Sequence, residues 1–588
     1  MMTNSNAPSR ISERVYRSAT DIRWAIVRLF FVVFTLFVIL RLWNLQVVNH
    51  EAYAKLSIDQ TQVYQLLIPN RGEIYATEKD LNGGSRAVPL ALNHESSLVY
   101  ADPRKIDDPQ KTAEVLAPIL GEPVEKIFAS ISKKDDPYEP LRHRVGPDIK
   151  KAIQDLQLNG IGILPEIERF YPGNNVASHI LGFVSYPERI PVGQYGLEGY
   201  FNDELTGKPG NFQSDKNSAG VWIALSDRDL TPAVDGSDLY LTIDWTIQFK
   251  ACQELNAWVQ KHGASGGSVI VMNPQTGAII AMCGAPDYNP NIFNEISRIK
   301  EFNNPAIFLQ YEPGSIAKPL TMAAALDQQK VTPTTTYNDT GAVVIGPKTI
   351  HNSDGKGYGI QTMTDVLAKS LNTGAIFAMR QVGVGVFRKY LEDFGLSIVS
   401  GINLMGEASG SLRSLYDSNE IYGATASYGQ GILVTPLQMV AAYSAIANSG
   451  KLMKPYIVQE INHPDGSKDI FKPETIRQVI SQKTSAILSG MLVNVVEEGH
   501  GKKAGVKGYY IAGKTGTAEI PRADGKGYES GANIGSFVGF GPVNNPKFAM
   551  IVRIDRPKDV QFAESSAAPL FGELAKFILQ YYEVPPER

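Results

Sequence analysis

Tyr311-Glu312-Pro313-Gly314-Ser315-Ile316-Ala317-Lys318-Pro319 runs directly into Leu320-Thr321-Met322-Ala323-Ala324-Ala325-Leu326. The second half is uniformly apolar or small and reads as a buried helix. Pro319 suits the start of that helix, because the first four N–H groups of a helix have no intrahelical acceptor. The helix therefore begins near Ser315. Residues at i and i+3 share a face, which puts the Lys318 amine within reach of the Ser315 hydroxyl. A helix N-terminus also carries partial positive charge, which disfavours a protonated amine and favours an oxyanion beside it. Both effects suit acyl transfer from a serine.

Ser-x-x-Lys alone is a weak signal, and the chain contains a decoy in Ser130-Ile131-Ser132-Lys133. Ser315 is set apart by two elements that follow it in order, Ser370-Leu371-Asn372 and Lys514-Thr515-Gly516-Thr517. Tyr509-Tyr510-Ile511-Ala512 reads as a strand entering the second of these, and Gly516 would let a substrate backbone approach an exposed edge. Lys514 offers a fixed positive charge to a substrate carboxylate, with Thr515 and Thr517 as hydroxyl donors.

Around these elements the pattern is that of an α/β (α+β) multidomain chain. Val269-Ile270-Val271-Met272 and Ala278-Ile279-Ile280-Ala281-Met282, joined through Asn273-Pro274-Gln275-Thr276-Gly277, predict a hairpin in a buried sheet. A second hairpin is expected from Ser536 to Phe540 and Phe548 to Ile554, followed by a helix from about Ala568 to Tyr581. Leu239 to Ile243 reads as a strand and Thr246 to Lys261 as a helix with Ile247, Ala251, Leu255 and Val259 on one face. Strands at both ends with Ala-rich helices between them imply one domain whose terminal helices cover a shared antiparallel sheet. Residues 46–235 are mixed in composition, broken by Gly, Pro and charged clusters, and read as a separate α+β module. Gly207-Lys208-Pro209-Gly210 and the polar stretch through Ser218 are expected to be loop, and Val234-Asp235-Gly236-Ser237 the turn into residues 236–588.

At the N-terminal end, Trp24 to Trp43 is long and apolar enough for a tilted membrane helix, with Arg28 and Arg41 placed to snorkel. No small-residue cleavage site follows it, so a retained anchor over residues 24–45 is expected behind a tail of residues 1–23. Arg10, Arg14, Arg17 and Arg23 precede the span, which places the tail in the cytoplasm and the rest outside. The 588 residues carry a net charge of −4, and no basic run lies outside the N-terminus, which argues against nucleic acid as a partner. Cys252 and Cys283 lack metal or Cys-x-x-Cys spacing and read as two buried thiols, with pairing in an oxidising compartment as the alternative. The eight histidines show no ligand spacing. His179 and His351 are expected to be ordinary core or surface residues.

The ordered triplet resembles the penicillin-binding protein and serine β-lactamase superfamily. Its flanks resemble the class B, monofunctional transpeptidases: Arg71-Gly72-Glu73-Ile74, Arg169-Phe170-Tyr171-Pro172, Gly196-Leu197-Glu198, Leu371-Asn372-Thr373-Gly374, Tyr428-Gly429-Gln430-Gly431, and Thr435-Pro436-Leu437-Gln438. Two stretches depart from the pattern. Tyr75-Ala76-Thr77 follows Ile74 where Asp-Arg-x-Gly is usual, and Gly499-His500-Gly501 replaces Gly-Thr-Gly. The resemblance implies a non-catalytic pedestal followed by a penicillin-binding transpeptidase domain with helices around its sheet. It implies Ser315 as nucleophile, Lys318 as base, Ser370 as proton relay, Asn372 and Lys514 as substrate-orienting groups, and Thr515, Gly516 and Thr517 as the substrate-binding strand. No cofactor or metal is expected. The implied substrates are peptidoglycan stem peptides ending in D-Ala-D-Ala, with β-lactams as acylating mimics. The implied partners are a membrane-embedded glycosyltransferase and proteins of the division complex. A β-lactamase, a carboxypeptidase, an elongation-type enzyme and an inactive scaffold remain alternatives at this level.

Overall fold

The computed structural model of the protein describes residues 11–50, 62–80, 84–187, 191–215, 228–522, 524 and 527–588, and the chain divides into two compact units. One unit comprises Met1–Pro69 and Lys208–Val234. Its helix Ile11–Trp43 continues through a wider turn at Asn44–Val48, and residues Arg23–Val48 form one apolar stretch long enough to cross a membrane. Over Arg23–Val48 its apolar side chains are largely exposed, as a lipid-facing helix requires. The same unit holds a three-stranded antiparallel sheet, ordered Gln62–Leu67, Gly210–Asp215, Arg228–Thr231. The stretch from Gly207 expected to be loop is therefore partly strand. Its polar residues sit in a ladder held by backbone hydrogen bonds, which leave no apolar alternation to read. The remainder of that stretch, residues 216–218, and Arg10 lie outside the described residues.

The second unit, Asn70–Gly207 with Asp235–Arg588, contains two large sheets. A seven-stranded sheet is ordered Lys468–Ile470, Val458–Asn462, Asp238–Asp244, Ile74–Lys79, Ser85–Ala101, Glu139–Val145, and Ile161–Phe170 also pairs with Ser85–Ala101. Leu239, Leu241 and Ile243 alternate inward along Asp238–Asp244. That strand pairs in parallel with Ile74–Lys79, so the sheet takes strands from both sides of residue 235.

The second sheet has five antiparallel strands, ordered Ile279–Ala285, Gly266–Met272, Phe548–Asp555, Tyr528–Gly541, Ala512–Pro521. Both expected hairpins lie in it. Val269 and Val271 face one core with Phe571, Leu574 and Ile578 of the helix Ala567–Tyr581, while Ile270 and Met272 face another with Leu320 and Met322. The continuous apolar runs seen in the sequence thus reflect a sheet covered on both faces. Ala512–Pro521 forms its open edge and starts later than expected, after Tyr509-Tyr510-Ile511.

Cys252 and Cys283 form a disulfide, contrary to the two-thiol expectation. The helix Trp245–Lys261 lies across the strand Ile279–Ala285 and brings the two Cα atoms to 5.3 Å, a proximity that their separation of 31 residues does not reveal. The motifs that hold Arg71, Arg169 and Glu198 converge elsewhere. Glu198, fully buried, accepts from Arg71 Nε at 2.6 Å, Arg169 Nε at 2.7 Å and Tyr171 Oη at 3.2 Å. Two guanidinium groups offset the desolvation of one carboxylate, and Arg71 is tied further to Thr206 at 2.7 Å. Glu198→Gln, which leaves two buried cations with a neutral partner, is expected to cost about 3 to 5 kcal/mol in denaturant unfolding. Replacing both cysteines by alanine should cost about 3 kcal/mol, read as a lower midpoint under the same conditions.

Candidate active site

The serine segment folds as a 3-10 turn, Gly314–Ala317, that leads into the helix Lys318–Asp327 with Pro319 in its first turn. Ser315 is half-buried at the turn, and Lys318 is buried one turn on. The turn is clamped from three directions. Gly314 N–H donates to Gly429 O at 3.0 Å, and a Cβ on Gly429, whose φ is +87°, would lie 2.1 Å from Gly314 O. Tyr443, from the helix Pro436–Ala447, donates to Ile316 O at 2.8 Å. That helix is set by a capping box between Thr435 and Gln438, the Thr435-Pro436-Leu437-Gln438 motif. Glu312 accepts from Gly431 N–H at 2.9 Å and from Tyr528 Oη at 3.0 Å. The Tyr428-Gly429-Gln430-Gly431 motif is thus the cradle of the serine turn.

The strand Ala512–Pro521 closes the other side. A Cβ on Gly516 would meet Ile316 at 2.9 Å and Pro313 O at 3.0 Å. The missing side chain at 516 therefore admits the serine turn, whereas the sequence suggested room for a substrate backbone. Thr517 Oγ1 accepts from Ala563 N–H at 3.1 Å.

Ser370 joins the pieces. Its Oγ accepts from Lys318 Nζ at 3.2 Å and from Lys514 Nζ at 3.0 Å, and its carbonyl accepts from Lys318 as well. Lys514 also donates to Thr515 O at 3.1 Å. Asn372 donates from its side chain to His351 O at 2.9 Å. Among the described residues neither lysine has a carboxylate partner. Burial holds the Lys318 amine well below the usual lysine range, and the nearby Lys514 lowers it further. Burial alone brings Lys514 down to about 7. Burial therefore works against the fixed positive charge expected of Lys514.

Ser315, Lys318, Ser370, Asn372 and the Lys514–Thr517 strand are thus drawn from three segments into one cluster. The decoy stays outside it: Lys133, the lysine three residues after Ser130, pairs with Glu139 at 2.9 Å. His179 is a buried residue bonded to Glu301 O, and His351 contributes its carbonyl rather than its ring. Sequence reasoning missed Glu312, Tyr528 and Asn352. Glu312 was visible only as the neighbour of Pro313-Gly314, and the other two stand in segments without a periodic signal.

Residues 267–576 match the family described as penicillin binding protein transpeptidase domain, and residues 67–241 match penicillin-binding protein dimerisation domain. Stage V sporulation protein D of Bacillus subtilis is 34% identical over 96% of this chain and 86% of its own length. Peptidoglycan D,D-transpeptidase FtsI of Escherichia coli K12 is 29% identical over 85% of this chain and 83% of its own. The crystal structure of penicillin binding protein 3 from Mycobacterium tuberculosis, complexed with aztreonam, superposes with a TM-score of 0.68 at 25% identity, covering 89% of this chain and 98% of that one. With its ordered Ser315, Ser370 and Lys514 elements gathered at one sheet edge, the chain belongs to the class B penicillin-binding proteins.

Proposed function

We propose that the protein is a peptidoglycan D,D-transpeptidase that cross-links stem peptides through an acyl-enzyme on Ser315 during cell division. The observation that carries this reading is a single hydroxyl, Ser370 Oγ, bonded by two buried lysines beside the Ser315 turn. Lys318, whose burial favours the neutral amine, takes the Ser315 proton as Oγ attacks the penultimate D-Ala carbonyl carbon. The backbone N–H groups of Ser315 and Thr517 receive the oxyanion, a service worth roughly 3 kcal/mol of barrier per donor in comparable sites. Ser370 returns the proton to the departing amine of terminal D-Ala. Asn372 orients the donor amide, while Lys514, Thr515 and Thr517 hold the terminal carboxylate. An arriving carboxylate favours the protonated form of Lys514, so substrate itself completes the charge that grips it. The amine of a second stem then attacks the ester and frees Ser315. β-Lactams acylate Ser315 along the same path.

The apolar helix at Arg23–Val48 supports a membrane anchor. The Arg residues before it support a cytoplasmic N-terminus and an extracytoplasmic catalytic domain at the plasma membrane. The Cys252–Cys283 disulfide agrees with that side, where thiols oxidise. A glycosyltransferase in the same membrane would supply the glycan strands, in company with other division proteins. Localisation to the septum supports the division role, and side-wall localisation overturns it.

Fluorescent penicillin should label the purified protein and leave Ser315→Ala unlabelled; equal labelling would remove Ser315 from its role. Acylation requires the neutral Lys318 amine, so its rate should fall as pH drops through the lowered lysine pKa, in a rate–pH series with a penicillin reporter. The same shift bears on stability. For Lys514 the unfolded chain binds a proton that the folded chain releases, so stability rises with pH from about 7 towards the ordinary lysine range, and the lowered Lys318 acts in the same direction. Lys318→Met should therefore raise the thermal midpoint at pH 7 by about 2 °C or more while lowering acylation about a thousandfold.

A further inference from the structure

We propose that Asp339 and Asn352 are positioning residues for the transfer reaction described above, on which this inference rests. They would hold Ser370 and Asn372 by capping, from a distant segment, the helix that Asn372 begins. That helix, Asn372–Val382, is preceded by Leu371, which has no side-chain acceptor for its first N–H groups. Asn352 supplies one. Its Oδ1 accepts from Asn372 N–H at 2.9 Å and from Thr373 N–H at 3.3 Å.

The amide is oriented by what lies behind it. Asn352 Nδ2 donates to Asp339 Oδ1 at 3.1 Å, to Asp339 Oδ2 at 3.0 Å and to Lys356 O at 3.0 Å. Asp339 accepts in addition from Thr373 Oγ1 at 2.8 Å, Gly341 N–H at 3.0 Å and Tyr358 N–H at 3.1 Å. Asp339, Asn352 and Thr373 are 2%, 4% and 3% exposed, so these bonds form away from water. Among the described residues Asp339 has no cationic partner. Its charge is met by these donors and by the positive end of the helix. The segment that carries Asn352 also presents His351 O, which holds the Asn372 side chain.

The cap acts on a strained turn. Ser370 has φ +56°, a left-handed conformation unusual for serine, between the helices Met363–Ala368 and Asn372–Val382. Such a conformation persists where its surroundings over-determine it. With the first turn of the second helix pinned to Asn352, Ser370 Oγ stays between Lys318 and Lys514. Without the pin the turn relaxes and the oxygen leaves both amines.

The test is a cycle of variants read by the acylation rate with fluorescent penicillin, with thermal melting to confirm folding. Asn352→Ala should lower the rate about ten- to a hundredfold, the scale of a small misplacement of reacting groups. In a Ser370→Ala/Asn372→Ala background it should lower it no further, because the groups it positions are gone. Asp339→Asn is isosteric and serves if Asn352→Ala fails to fold; it should act in the same direction by a smaller factor. Wild-type rates in both folded variants, or a loss undiminished in the double-variant background, would overturn the inference. Absence of labelling in the unmutated protein would instead overturn the transfer reaction itself, and the positioning role with it.

Discussion

Lys318 and Lys514 both reach one serine oxygen inside the protein, and no carboxylate among the described residues neutralises either of them. Two desolvated amines that close repel if both are charged, which favours the neutral form of Lys318. The elements around the site hold both amines where they are buried. The serine turn cannot swing away because Gly429, Tyr443 and Glu312 secure it, and the strand Ala512–Pro521 cannot retreat because it is laddered into a sheet covered on both faces. The chemistry of the site is therefore a property of rigidity and burial more than of any single residue.

The same logic explains motifs that have no part in acyl transfer. Arg71, Arg169 and Glu198 stand far apart in the chain and form one buried ion cluster. An ion cluster of this kind adds little net stability over an apolar equivalent, yet it tolerates no wrong pairing, since every mispaired arrangement leaves a buried charge exposed to a low dielectric. It ties the segments that carry Arg71 and Arg169 to the one carboxylate of Glu198. The capping box at Thr435 performs a humbler service, setting the start of the helix whose Tyr443 reaches the serine turn.

Much of the fold could be read in advance where hydrophobic period and length agreed. The hairpin of Val269 to Met282, the closing helix at Ala567–Tyr581 and the membrane-length run were legible because each is a local pattern. The strand Gly210–Asp215 was not, because its residues are polar and its ladder is made by partners elsewhere in the chain. The disulfide escaped for a related reason: a helix crossing a strand brings two cysteines together, and spacing records no crossing angle.

By itself the sequence determined which residue types are present and in what order: a serine followed by lysine one turn later, a second serine with its asparagine, a third segment with lysine and glycine. Order sufficed for the family. Only the tertiary structure decided that Ser370 lies between the two lysines, that burial lowers the proton affinity of Lys514, and that Asp339 and Asn352 lie behind Asn372. Those are matters of burial and through-space contact, and a buried group's proton affinity depends on neighbours that the chain's linear order does not name.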